Sequence, residues 1–177
     1  MQRVPMADFE PGLKKRLEEL WGRPVNLYRA LANHAPLAAA WTEFANSIRH
    51  DSRTPRTLRE LMILRTAQLA RSEYEWAQHL KMARKAGVRE AQIEALARWR
   101  DSAEFDARER AALALTEGVM ACDVSDAVYA EAARHFGHAE YVELALTAGF
   151  YAMVSRMLDA LRVELDPDVR EHSPRLA

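Results

Sequence analysis

Apolar residues recur three and four positions apart along almost the whole chain, and no stretch alternates β-branched and polar residues as a half-buried strand would. The pattern predicts helices throughout. Leu13, Leu17, Leu20 and Trp21 mark a first helix over about 12–21, and a short helical segment follows over 25–32. Leu37, Trp41, Phe44 and Ile48 place the next helix from Pro36 to about His50. Asp51-Ser52-Arg53-Thr54-Pro55 reads as a turn, with Thr54 as N-cap and Pro55 at the first helical position. The helix over 55–70 carries Leu61-Met62-Ile63-Leu64 without a break, which predicts burial on all sides. The following helix runs from Ser72 to Gly87, a residue suited to a left-handed terminator. Further helices are expected over about 89–98, 107–120, 125–136 and 139–161. The tail from Asp166 is charged and contains proline, and is expected to be loose. The reading is one all-α domain over 1–177. It comprises an N-terminal helical arm (1–35), a core (36–165) and a flexible tail (166–177).

The chain length, 177 residues, allows one domain with a proper core. With 25 Lys plus Arg against 26 Asp plus Glu, the formal net charge is -1, which argues against nucleic acid as a partner. The single cysteine, Cys122, excludes a disulfide or a dithiol redox pair within one chain. Met1 to Pro11 lacks the apolar run of a secretory segment. The longest apolar-rich stretch, Leu144 to Val154, falls short of the roughly 20 residues a bilayer span needs. No membrane partner and a cytoplasmic location are expected.

Three ionisable residues sit on apolar faces. Glu60 shares its helix face with Ile63, Leu64 and Ala67, where desolvation would oppose its charged form. Glu75 and His79 lie one turn apart on the next helix, on a side shared with Met82 and Ala86. A carboxylate four residues before an imidazole can hydrogen-bond to it and orient the ring, which makes a workable general acid/base unit. A structural reading stands beside each. Glu60 can pair with a buried arginine, Ser72-Glu73-Tyr74-Glu75 is a capping box, and His79 can be a satisfied core histidine.

The segments Leu58-Arg59-Glu60-Leu61-Met62-Ile63-Leu64-Arg65, Glu73-Tyr74-Glu75-Trp76-Ala77-Gln78-His79 and Ala86-Gly87-Val88 resemble the carboxymuconolactone decarboxylase family, which includes the alkylhydroperoxidase D proteins. Phe150-Tyr151-Ala152-Met153-Val154-Ser155-Arg156 is similar to the last helix of longer members, and the resemblance spans about 53–161. It implies a compact helical bundle of the alkylhydroperoxidase D-like type and a homo-oligomer, trimer or hexamer, with active sites near subunit contacts. Trp21, Trp41, Trp76 and Trp99 fit that expectation, as apolar surface a small helical monomer does not easily hide. The peroxidase branch of the family carries Cys-x-x-Cys-x-x-x-His after an upstream glutamate. Those positions fall on Ser72, Glu75, His79 and Glu60, so both thiols are absent. The decarboxylase branch carries His-Glu-x-x-x-His. Glu75 and His79 match it, and Tyr74 replaces its first histidine.

The resemblance therefore implies a lyase-like enzyme doing cofactor-free acid/base chemistry on a small carboxylated or lactone-type molecule. His79 would be the acid/base, Glu75 would orient it, and Glu60 would serve as second proton carrier or electrostatic partner. Tyr74, Trp76 and Arg156 are the candidate substrate contacts. The alternatives are a peroxiredoxin-type antioxidant enzyme and a non-catalytic oligomeric binding protein. Arg156, set among Met153, Val154, Met157 and Leu158, is expected to be partly buried and paired with Glu60, Glu109, Glu143 or a substrate carboxylate. Arg49, Arg53, Arg56 and Arg59 read as a solvated basic face, or else as an attractor for an anionic substrate. A metal held by Glu75 and His79 with His135 or His138 lacks an identifiable third ligand, and the six glycines build no phosphate loop. Neither metal nor cofactor is expected.

Overall fold

A computed structural model describes residues 2–22 and 25–170, with the side chain of Trp21 outside the described set. The helices are α1 (Pro11–Trp21), α2 (Asn26–Leu31), α3 (Ala35–His50), α4 (Arg56–Ala70), α5 (Glu73–Ala86), α6 (Glu90–Ala95), α7 (Ala107–Ala121), α8 (Asp126–His135) and α9 (His138–Leu161). No strand occurs among the described residues.

The unbroken apolar run of α4 places that helix at the centre, packed against α5, α7 and α9. Leu61 and Leu64 face a cluster with Trp76, Leu80, Leu96, Trp99 and Leu113. Ile63 faces Leu27, Ile48, Tyr151 and Val154, and Met62 faces Leu115, Leu144 and Ala148. Each such side chain stabilises the fold by roughly 1.5–3 kcal/mol through its burial. Gly87 ends α5 at φ 97°, a left-handed conformation that a side chain would strain.

Four expectations are corrected. Thr54 does not cap α4. Glu143 of α9 accepts the backbone N–H groups of Arg53 (2.9 Å) and Thr54 (3.0 Å), and the Thr54 carbonyl turns inward to accept from the Arg59 guanidinium. Pro55 becomes the N-cap, and α4 starts at Arg56. The helix expected over 89–98 stops at Ala95 and continues as a 3-10 segment, Leu96–Asp101, kinked at Arg98. Residues 166–170 are not loose: Asp166 and Val169 are buried. Residues 171–177 of the expected tail lie outside the described residues. Trp76 and Trp99 sit in the core rather than on a surface, and Trp41 is half-buried.

Helix α9 is longer than the apolar stretch read from the sequence. By length and composition it could cross a membrane, yet half of its most apolar window is buried, and it packs on α4 and α7 as a core helix.

Candidate active site

Glu60, Glu75 and His79 converge. All three are buried, with Glu60 fully enclosed. Their helices follow one another through a short turn and pack side by side, so the apolar face of each is turned towards the other. His79 Nδ1–H donates to Glu60 Oε2 at 2.8 Å, and Arg56, one turn before Glu60 on α4, pairs with Glu60 Oε1. A carboxylate on Nδ1 fixes the ring orientation and turns Nε2 towards Glu75, whose Oε2 lies 3.6 Å away. The edge-on ring of Tyr151, 4.8 Å between centroids and at 85°, packs against the imidazole.

The two carboxyl groups are driven in opposite directions. Burial pushes Glu60 up, but the His79 charge and hydrogen bond, with Arg56 and Arg49, outweigh it and hold the group below the usual carboxylate range. Burial also pushes Glu75 up, and there it wins: His79 and Arg49 only partly oppose it, and Glu60 adds to the rise. Two carboxyl groups whose environments separate their protonation flank one imidazole, an arrangement suited to proton transfer.

The capping box is half formed. Ser72 Oγ accepts from Glu75 N–H (3.4 Å), but the Ser72 N–H donates to Ala67 O, so the Glu75 carboxyl is not used as a reciprocal cap. It turns instead into a cavity of about 350 Å³, within the range of small-molecule sites. Its Oε2 is buried there without a hydrogen-bond partner. Arg49, Tyr74, Gln78 and His79 share the lining, and Asp168 and Val169 form part of the wall.

Of the expected substrate contacts, Tyr74 lines this cavity. Its hydroxyl donates to Asp166 Oδ2 (2.6 Å) and accepts from Leu27 N–H (3.1 Å), so it is committed to holding the wall. Trp76 points into the core on the other side of α5 and does not line the cavity. Arg156 is exposed, beside a different groove with Glu117 and Asp159, and the carboxylate expected to hold it, Glu60, is held by Arg56 and His79. The basic stretch is not a solvated face. Arg59 is buried and donates to the backbone carbonyls of Arg49 and Thr54, Arg56 pairs with Glu60, and only Arg53 is exposed.

Sequence reasoning named Arg49 only as one of four arginines in a basic stretch and did not single out Tyr151 for the site. Tyr151 is fully buried and accepts from Arg49 Nε (3.2 Å). The only signal was a tyrosine and an arginine on otherwise apolar or basic stretches, too common to separate from core and surface. Among the described residues no group of three His, Cys, Asp or Glu side chains could hold a metal ion, and His135 is tied to Glu131 at 3.2 Å. Cys122 is exposed at the C-terminal end of α7, in left-handed geometry (φ 56°).

Comparison with solved structures gives the same fold at low identity. The debrominase Bmp8, in its apo form, superposes with a TM-score of 0.80 at 18% identity, covering 94% of this chain and 92% of that one. An alkylhydroperoxidase AhpD core protein from Ralstonia eutropha JMP134 gives 0.82 at 17% identity, covering 95% and 94%. A peroxidase-related protein from Silicibacter sp. TM1040 gives 0.80 at 20% identity, covering 94% and 91%. No curated protein matches the sequence. Residues 35–118, which contain α3 to most of α7 and with them Glu60, Glu75 and His79, match the model of the carboxymuconolactone decarboxylase family. The chain thus carries a carboxymuconolactone decarboxylase family region over 35–118, within the helical fold shared with the alkylhydroperoxidase AhpD-like structures.

Proposed function

We propose that this protein is an enzyme of cofactor-free acid/base chemistry on a small carboxylated or lactone-type molecule. His79 exchanges a proton with the substrate or with Glu75 through Nε2, and ionised Glu60 stabilises the imidazolium that forms. The observation that carries the reading is the Glu75 carboxyl: buried, without a hydrogen-bond partner, beside His79 and facing a cavity. A capping or core role would leave that oxygen satisfied. A variant of the debrominase Bmp8 has been crystallised in complex with 2,3,4-tribromopyrrole, so a protein of this fold accommodates a small cyclic ligand. A thiol peroxidase reading has no comparable support, since Ser72 and Glu75 occupy the two cysteine positions.

The test is turnover of carboxymuconolactone and related carboxylated lactones, followed by NMR. His79→Ala is expected to lose about 10²–10⁴-fold in rate while keeping its fold. Unchanged turnover in that variant would sink the reading. We further propose a cytoplasmic homo-oligomer. Val142 (55% exposed), Leu146 (46%) and Met153 (44%) leave an apolar stripe on α9, and light scattering showing a monomer would refute the assembly.

A further inference from the structure

The same cavity allows its ligand to be specified by chemistry, an inference that rests on the acid/base reading only for identifying this cavity as the site. A buried polar atom without a partner is costly, so the Glu75 carboxyl calls for a ligand atom to complete it. The groups facing it come from every surrounding element. His79 and Tyr74 lie on its own helix, Glu60 on α4 where Arg56 pairs with it, Arg49 on α3, Tyr28 on α2, Tyr151 on α9 and Asp168 on the C-terminal wall. Glu60 is paired with Arg56 and hydrogen-bonded by His79. The tyrosines are buried, and burial keeps their phenols protonated. Lys81 and Lys85 stand one turn apart on the exposed rim of the same cavity. Tyr74 and Gln78 also line it, both donating to Asp166, and the rest of the wall is apolar: Val25, Leu27, Met82 and Val169. The cavity thus has an apolar body, three cations (Arg49, Lys81 and Lys85) against the one wall carboxylate of Asp168, and one buried Glu75 carboxyl oxygen awaiting a hydrogen-bond partner.

We propose that the cavity binds a small apolar-bodied carboxylic acid as its anion, with the carboxyl group of Glu75 donating a hydrogen bond to a ligand oxygen and Arg49, Lys81 and Lys85 facing the ligand charge. Only a protonated Glu75 can donate to an anion; once ionised it repels one. Burial favours that protonated form in the empty site. Glu75 is then a ligand-binding residue as well as a partner of His79, and the affinity for anions falls as pH rises through its raised range.

Calorimetric titration of the full chain with benzoate, and with neutral benzamide, tests this. Wild-type protein is expected to bind benzoate at about pH 5.5 and to lose about tenfold or more in affinity by about pH 8.5. Benzamide is expected to bind at least about tenfold more weakly than benzoate at the lower pH. Glu75→Gln, which donates at every pH, keeps benzoate binding and removes most of the pH dependence. Absence of benzoate binding, equal affinity for benzamide, or an unchanged pH dependence in Glu75→Gln would each overturn the proposal. The wild-type comparison needs no variant to fold. No turnover enters the titration, so an inactive His79→Ala enzyme counts against neither proposal, while a fully active one counts against the acid/base reading and not against this one.

Discussion

Glu60 and Glu75 share an imidazole and oppose each other as pH sensors. The Glu60 carboxyl is held below its ordinary range, so its contribution to stability is full above the unfolded pKa and is lost as pH falls through the folded one. Glu75 is held above its ordinary range, so its contribution is present below the unfolded pKa and is lost as pH rises through the folded one. Urea denaturation across pH is expected to show both slopes, with Glu75→Gln removing the loss on the alkaline side and Glu60→Gln flattening the loss on the acid side. Glu60→Ala is a different matter. It leaves Arg56 and His79 without their buried counter-charge and is expected to cost about 3–5 kcal/mol, read as a lower denaturation midpoint. The inward placement of all three residues was legible in the helical period, because each shares its face with apolar neighbours. Whether Glu75 served as cap or as site residue was not legible. The cap needs Ser72 three residues before Glu75 and the site needs His79 four residues after it; the sequence meets both spacings, and only the actual direction of the side chain separates the roles.

At the scale of elements, α5 carries the site because its two ends are fixed. Ser72 caps the first turn, and Gly87 reverses the chain in the last. Ser72→Ala is expected to cost about 1 kcal/mol and to loosen the turn that holds Glu75. Gly87→Ala is expected to cost about 1 kcal/mol as well. Its new methyl would meet only Thr57 Cγ2 at 3.8 Å, an ordinary contact, so the cost is conformational rather than steric. Thermal melts of both variants check these values. Apart from the end of α6, the helix positions were readable from sequence to within a residue or two, since periodicity and caps are local signals. The start of α4 was misread for a non-local reason. Glu143 of α9 claims the backbone N–H groups of the turn, and nothing in residues 51–55 announces that partner.

Across the whole molecule, the segment after α9 closes the site. Asp166 accepts from Tyr74 (2.6 Å), Gln78 (2.8 Å) and the backbone N–H of Asn26 (3.0 Å), tying the C-terminal segment and α2 to α5. Asp166→Ala strands three donors that the carboxylate had satisfied and is expected to detach residues 163–170. Limited proteolysis should then cut this segment faster than in the wild type, while far-UV circular dichroism of the helices stays unchanged. A charged, proline-containing sequence carries the composition of a loose tail, and it is ordered here because one carboxylate meets a buried tyrosine about ninety positions earlier in the chain.

The sequence by itself determined the all-helical architecture, the buried centre at α4 and the inward faces of Glu60, Glu75 and His79. These follow from spacing along a single helix, which needs no knowledge of what lies opposite. Only the tertiary structure decided which charges meet. Arg56 rather than Arg156 holds Glu60, Arg49 and Tyr151 join the site, Trp76 leaves it, and Asp166 walls it in. Partner choice among arginines and carboxylates depends on distances between helices, and a one-dimensional pattern carries no such distances.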